Sequence, residues 1–280
     1  MAVVLALVGA VTYGVADFWG GLATKRTAAA AVIAVGQLAG LVVLVPALAL
    51  LPARFDTGAL LWGAAAGIAG GAGLLLFYRS LADGTMSIFA PLTAVSAAAV
   101  PVIAGLALGE RPSLLALGGV LVALLAVVLV SAEGGRLPTW RQLVADRAVA
   151  EALAAGVAFG LFFVLLSRPA HDTGLWPVAG ARAASLVVMV AVALGARRTL
   201  LPARIALPLV IASGIADMSA NVLFLLASRQ GLLVITSVLT ALYPASTVLL
   251  AQLVLHERIH RLQVAGLAAA AAAVTLIAVA

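Results

Sequence analysis

The sequence contains no cysteine. That absence excludes a disulfide framework, a thiol nucleophile and a cysteine-ligated metal site. Charge is scarce as well: charged residues make up 9% of the 280, against about 25% in a soluble domain. Histidine occurs three times, and aromatic residues make up 5%. What fills the chain is hydrophobic, 65% of it. So apolar a chain cannot cover itself with polar surface in water, which excludes a soluble enzyme and implies an integral membrane protein. The net charge of +6 does not then signal a nucleic-acid partner, because the basic residues fall in short loops between apolar segments, where they orient membrane helices. The first segment, "MAVVLALVGAV", lacks a basic leader, and no A-x-A site is followed by soluble chain. It reads as a retained membrane helix rather than a signal peptide.

A helix needs about 20 apolar residues to span a bilayer. Cutting the chain at charges, prolines and glycines predicts ten such segments: 2–24, 28–51, 58–80, 84–108, 113–132, 148–168, 174–195, 204–227, 231–255 and 261–280. Most loops are a few residues, such as "KRT" at 25–27 and "GERP" at 109–112. The longest, around 131–147, divides the segments five and five and leaves no room for a soluble catalytic domain.

The two halves repeat. A shift of 147 residues brings Gly67-Ile68-Ala69 onto Gly214-Ile215-Ala216, Phe77 onto Phe224, Gly84 onto Gly231 and Glu110-Arg111 onto Glu257-Arg258. Shifts of 145 to 146 bring Tyr13-Gly14 onto Phe159-Gly160, Leu41-Val42-Val43 onto Leu186-Val187-Val188, and Gln37 onto Arg182. Five is odd, so a second copy of a five-helix unit enters the membrane from the opposite side. The expected fold is all-α, ten transmembrane helices as two inverted five-helix repeats, 1–132 and 148–280, joined by a loop at 133–147. That plan places a binding site near the midplane between the halves.

Two five-helix repeats, with a "GER" turn after the fourth helix and a "HER" turn after the ninth, resemble the EamA branch of the drug/metabolite transporter superfamily. The segment "YGVADFWGGLATK" is also similar to the first helix of small multidrug resistance proteins, whose essential carboxylate lies eight residues before a lysine, as Asp17 does before Lys25. The resemblance implies a multi-pass protein of a bacterial inner membrane, monomeric or weakly dimeric, with both termini in the cytoplasm. The loop charges argue the opposite orientation. With cytoplasmic termini, four basic residues (Arg54, Arg111, Arg168 and Arg229) lie on the cytoplasmic side and eleven on the other.

A charge at the bilayer centre costs at least ~2.5–3.5 kcal/mol on insertion scales, so the deep charges are expected to face the bundle interior or water. Three lie deep: Asp17, Arg182 and Asp217. Asp17 shares a helical stripe with Tyr13, Gly20, Gly21 and Thr24. Asp217 shares one with Ser213, Gly214, Asn221 and Phe224. Arg182 and its counterpart Gln37 are both polar, and Arg182 can take a substrate carboxylate or neutralise an aspartate. In helices four and nine, Pro91, Pro101 and Pro244 remove backbone hydrogen bonds; Thr93, Ser96, Thr240 and Tyr243 can satisfy the freed groups or bind substrate. Structural readings stand beside these. The carboxylates and Asn221 can serve as interhelical ties alone, and Glu110 and Glu257 read as loop turns.

Two motifs are rejected. "GIAGGAG" at 67–73 has no following Lys-Ser/Thr and lies in an apolar segment, so close helix packing explains it better than phosphate binding. "HERIH" at 256–260 matches the zinc-protease pattern H-E-x-x-H, but its counterpart "LGERP" has no histidine, and no acidic residue follows Glu257. The stretch is expected to be a turn and a helix start, and an intramembrane zinc protease is a remote alternative. The expected function is export of small metabolites such as amino acids or amines. It proceeds by alternating access without a cofactor, with the proton as coupling ion at Asp17. An uncoupled exchanger or uptake permease is the nearer alternative.

Overall fold

The computed structural model of the protein describes residues 1–51, 53–83, 86–131, 147–195 and 200–280, with backbone only at 78–83, 86–91, 147–148 and 193–194. Among these residues there are twelve α-helices and no strand. They are α1 (Ala2–Thr24), α2 (Ala29–Ala39), α3 (Leu41–Leu50), α4 (Thr57–Asp83), α5 (Met86–Ala107), α6 (Leu114–Val130), α7 (Arg147–Ser167), α8 (Trp176–Gly195), α9 (Leu207–Ser228), α10 (Leu233–Thr240), α11 (Tyr243–Leu255) and α12 (Arg261–Ala278). A helix satisfies its own backbone groups, which lipid cannot do. Seven described stretches are long and apolar enough to cross a bilayer, α2 with α3 forming one and α10 with α11 another; Leu92–Ala107, Leu114–Val130 and Trp176–Val192 are shorter apolar helices. The protein is a multi-pass membrane protein. Val4, Val8 and Val11 on α1 and Leu114, Leu121 and Leu125 on α6 are exposed, as lipid-facing stripes require.

Two segments expected as single helices are interrupted. The first breaks at Gly40, between α2 and α3. The second breaks at Ala241–Leu242, where Pro244 has no N–H to give the Thr240 carbonyl and the helix restarts at Tyr243. Helix α5 continues through Pro101 without a break, and Pro91 falls where only backbone is described.

The halves pack mainly against each other: α1 on α9 and α11, α2 on α9, α4 on α7 and α8, α5 on α7, and α6 on α12. Small residues let the backbones approach. A side chain at Gly214 would collide with the backbone of Gly36, and one at Gly67 with the backbone of Ala181. The glycine-rich stretch at 67–73 is therefore a packing surface. On α6 and α12 a Cβ at Gly119 would meet Ile277, and one at Gly266 would meet Val130. The early part of each helix thus faces the late part of the other, and the two run antiparallel. Gly109 and His256, at equivalent places after α5 and α11, both have left-handed backbones (φ 92° and 57°). Residues 256–260 connect α11 to α12 outside any helix, and His260 with Gln263 forms a capping box at the start of α12. "HERIH" is thereby an interhelical connection that ends in a helix cap.

At one end of the bundle, two ties join the halves, through Glu110 and Arg54. Glu110 accepts hydrogen bonds from the Leu233 and Val234 amides (2.7 and 2.9 Å), clamping the N-terminus of α10. At the same end, within the second half, Arg229 donates to Thr173 Oγ1 (3.2 Å). Arg54 pairs with Asp172 (3.6 Å), and its amide donates to the Asp172 carbonyl. Glu257, the counterpart of Glu110, is exposed.

Candidate functional site

A cavity of about 300 Å³ lies between the halves, lined by residues of both. Its polar residues are Tyr13, Asp17, Gln37, Thr93, Arg182, Ser185, Asp217, Asn221 and Tyr243. The stripe on α1 brings Tyr13 and Asp17 to it, and the stripe on α9 brings Asp217 and Asn221, one helical turn apart in each case.

Arg182 is 7% exposed. Its guanidinium donates to Asp217 Oδ2 (2.8 Å) and to Gln37 Oε1 (2.7 Å), and lies 3.8 Å from the Met218 sulfur. Ser185 donates to the same Gln37 oxygen (2.8 Å), and Asn221 Nδ2 donates to the Asp217 carbonyl (2.8 Å). Of the two roles open to Arg182, the structure shows the neutralisation of Asp217.

Asp17 is different. Its carboxylate has no hydrogen bond or ion pair among the described residues and is exposed to the cavity. Above it, Tyr13 Oη is buried with no hydrogen-bond partner among the described residues. A buried hydroxyl usually has a partner, so Tyr13 and Asp17 set two unpartnered polar groups one turn apart on one face of α1. The ring of Tyr13 packs edge-on to Phe163 (centroids 6.2 Å, 85°) and tilted to Tyr243 (6.2 Å). Phe163 also contacts Phe162 (5.3 Å) and Phe224 (4.5 Å). An aromatic wall thus stands beside the free carboxylate.

Two expected site residues do not line the cavity. Ser96 donates to the Leu92 carbonyl and Thr240 to the Thr236 carbonyl, each one turn back on its own helix. Thr93 lines the cavity but donates to the Ala152 carbonyl (3.0 Å), tying α5 to α7. Sequence reasoning missed Ser185 and the Phe162–Phe163 wall. The signal available for the wall was the aromatic run "FGLFF" at 159–163, aligned with Tyr13 through Phe159. No group of three or more metal-ligating side chains occurs among the described residues.

The chain is similar to known transporters. The model of the EamA-like transporter family matches residues 1–132 and, a second time, residues 147–279. A search of curated proteins gave no match. A crystal structure of a protein matches with a TM-score of 0.74 at 16% identity, covering 97% of this chain and 98% of that one, and shows a shared fold.

Proposed function

This chain belongs to the EamA-like transporter family, a family of membrane transporters and not of enzymes, and from that premise we propose that it exports small amine-bearing metabolites by alternating access. Ten spans form two inverted five-helix repeats, and the cavity between them is the transport site. Reciprocal contacts support the inverted arrangement. Gly67 meets Ala181 as Gly214 meets Gly36, and Gly119 meets Ile277 as Gly266 meets Val130. Each second pair is the first with the repeats exchanged. The antiparallel run of α6 and α12 supports an exchange axis in the membrane plane, since an axis along the normal would leave those equivalent helices parallel.

The observation that carries the mechanism is the unpaired Asp17. Arg182 serves Asp217, so Asp17 is left to exchange a proton with a cationic substrate. Protonated, it crosses the bilayer neutral when the cavity is empty; ionised, it binds the substrate and the pair crosses neutral. This limits movement to the two loaded forms and exchanges one proton for one cation. The protein is placed in a bacterial inner membrane with cytoplasmic termini, acting as a monomer or weak homodimer. Rocking must break the end ties of Glu110 and Arg54, which join the halves, so in this conformation that end is closed.

Access is tested with a single cysteine. The chain has none, so Leu74→Cys, on the apolar part of the cavity lining, introduces a unique thiol. A membrane-impermeant maleimide is expected to label it from either face of the bilayer in separate experiments. Labelling from one face only, across pH and ligand conditions, would refute alternating access.

A further inference from the structure

We infer that the substrate is a primary or secondary monoamine with an apolar, preferably aromatic, body and no carboxylate. This rests on the cavity being the transport site and narrows what the site accepts.

Charge balance comes first. The cavity lining carries Asp17, Asp217 and Arg182 among the described residues. Arg182 is bound to Asp217 at 2.8 Å, so with Asp17 ionised the surplus is one negative charge, located there. A monocation cancels it. A zwitterionic amino acid brings its own negative group and leaves the surplus in place. It also finds the cavity's guanidinium already holding a carboxylate. An organic anion adds to the surplus. A dication overshoots it.

Hydrogen-bond chemistry comes second. Tyr13 Oη is buried and unpartnered, one helical turn from Asp17. A primary ammonium has three N–H donors. It can give one to the Asp17 carboxylate and another to the Tyr13 oxygen, satisfying both with one group. A quaternary ammonium has no N–H and leaves the tyrosine oxygen unsatisfied. The site therefore favours amines that keep a proton on nitrogen.

Shape comes third. The Tyr13 ring packs against both Phe163 and Tyr243, with centroids 6.2 Å apart in each case. Phe162 extends the same wall. Such faces attract an adjacent cation and pack a ring or aliphatic body attached to it. Leu74, Ala94, Ala97 and Leu166 add apolar lining for that body.

A matched series separates the three arguments. Phenethylamine carries the ammonium and the ring. Phenylalanine adds a carboxylate, trimethyl-phenethylammonium removes the N–H donors, and 3-phenylpropionate replaces the cation by an anion. Binding of each is measured by isothermal calorimetry on the purified full-length protein in lipid nanodiscs. Phenethylamine is expected to bind about tenfold or more tighter than phenylalanine and than the quaternary analogue, with phenylpropionate not binding. Asp17→Asn should weaken phenethylamine by about tenfold or more. Tyr13→Phe, which keeps the ring stack, should abolish the preference for the primary over the quaternary amine. Phenylalanine binding as tightly as phenethylamine would overturn the inference, as would a quaternary preference unchanged in Tyr13→Phe or no binding of any amine. Maleimide labelling of Leu74→Cys in the same nanodiscs keeps this failure apart from that of the transport reading. A labelled thiol that no amine protects leaves the cavity open but the class wrong, whereas a thiol that never labels removes the cavity itself.

Discussion

Arg182 hydrogen-bonds Gln37 at 2.7 Å, and Gln37 is the residue that occupies the position of Arg182 in the other repeat. A residue that touches its own repeat equivalent lies where the two halves meet. The neighbouring contacts are exchanged in the same way. Ser185 donates to Gln37, and Gly40, the equivalent of Ser185, lies against Arg182. The polar centre of the cavity is thus built where the halves meet, and the same fold becomes asymmetric there because one copy carries a guanidinium and the other an amide.

The ion pair at this centre is expected to hold the fold together. Arg182→Ala strands the Asp217 carboxylate within the bundle. Removing one partner of a buried pair costs about 3–5 kcal/mol; the Asp217 side chain is 41% exposed to the cavity, so the lower end, about 3 kcal/mol, is expected. The melting temperature in detergent should fall, and Arg182→Gln with Asp217→Asn together should recover most of it. An unchanged melting temperature in Arg182→Ala would show that the pair adds nothing to stability.

Gly214→Val and Gly67→Val should each prevent a folded monodisperse product in size-exclusion chromatography, because the new Cβ lands on backbone atoms of the facing helix. Gly21→Ala is the control. Nothing lies within 4 Å of a Cβ at that position, and the substitution in a helix interior should be neutral or stabilise by about 0.5–1 kcal/mol. A well-behaved Gly214→Val would contradict the close approach of α2 and α9.

Glu110 joins a loop of the first half to the start of α10 through two charge-assisted hydrogen bonds. Glu110→Ala should cost about 2 kcal/mol and should raise labelling of Leu74→Cys from the bundle end that carries Arg54 and Arg229. A label rate unchanged from that end would mean that the clamp does not restrain opening.

The proposed inverted arrangement has a ligand-free check. Arg111 and Arg258 occupy the same position in the two repeats. Arg111→Cys and Arg258→Cys, made separately, should react with an impermeant maleimide from opposite faces of sealed vesicles. Reaction from the same face would indicate parallel halves.

Much of this was legible in the sequence for identifiable reasons. Apolar length reports helices in lipid, and the glycines of 67–73 and the Glu-Arg turns mark the repeat because packing and turn geometry recur with it. The polar stripes of α1 and α9 pointed to the cavity because a charge in a membrane helix has few places to face. Hidden from the sequence was everything decided by a choice among partners. Arg182 could have paired with Asp17 or Asp217, and only the packing of α8 against α2 and α9 selects the latter. Ser96 and Thr240 were misplaced because a helical hydroxyl can bond its own backbone and so needs no cavity. The break at Gly40 had no proline to announce it, whereas the break at Ala241–Leu242 did.

The proposed coupling puts the exchanged proton on Asp17, and substitution of this residue in proteoliposomes is the most direct measurement. The ligand is the compound that best stabilises the purified protein in a screen of amino acids, amines and drugs. Its labelled form is followed under an imposed pH gradient, with uptake by protein-free liposomes subtracted. The wild-type protein is predicted to accumulate it against its own gradient towards the acidic side. Asp17→Asn should retain exchange of labelled for unlabelled ligand at equal pH and lose the gradient-driven accumulation. Accumulation by Asp17→Asn equal to that of the wild type would contradict proton exchange at this carboxylate and leave Asp17 a packing element.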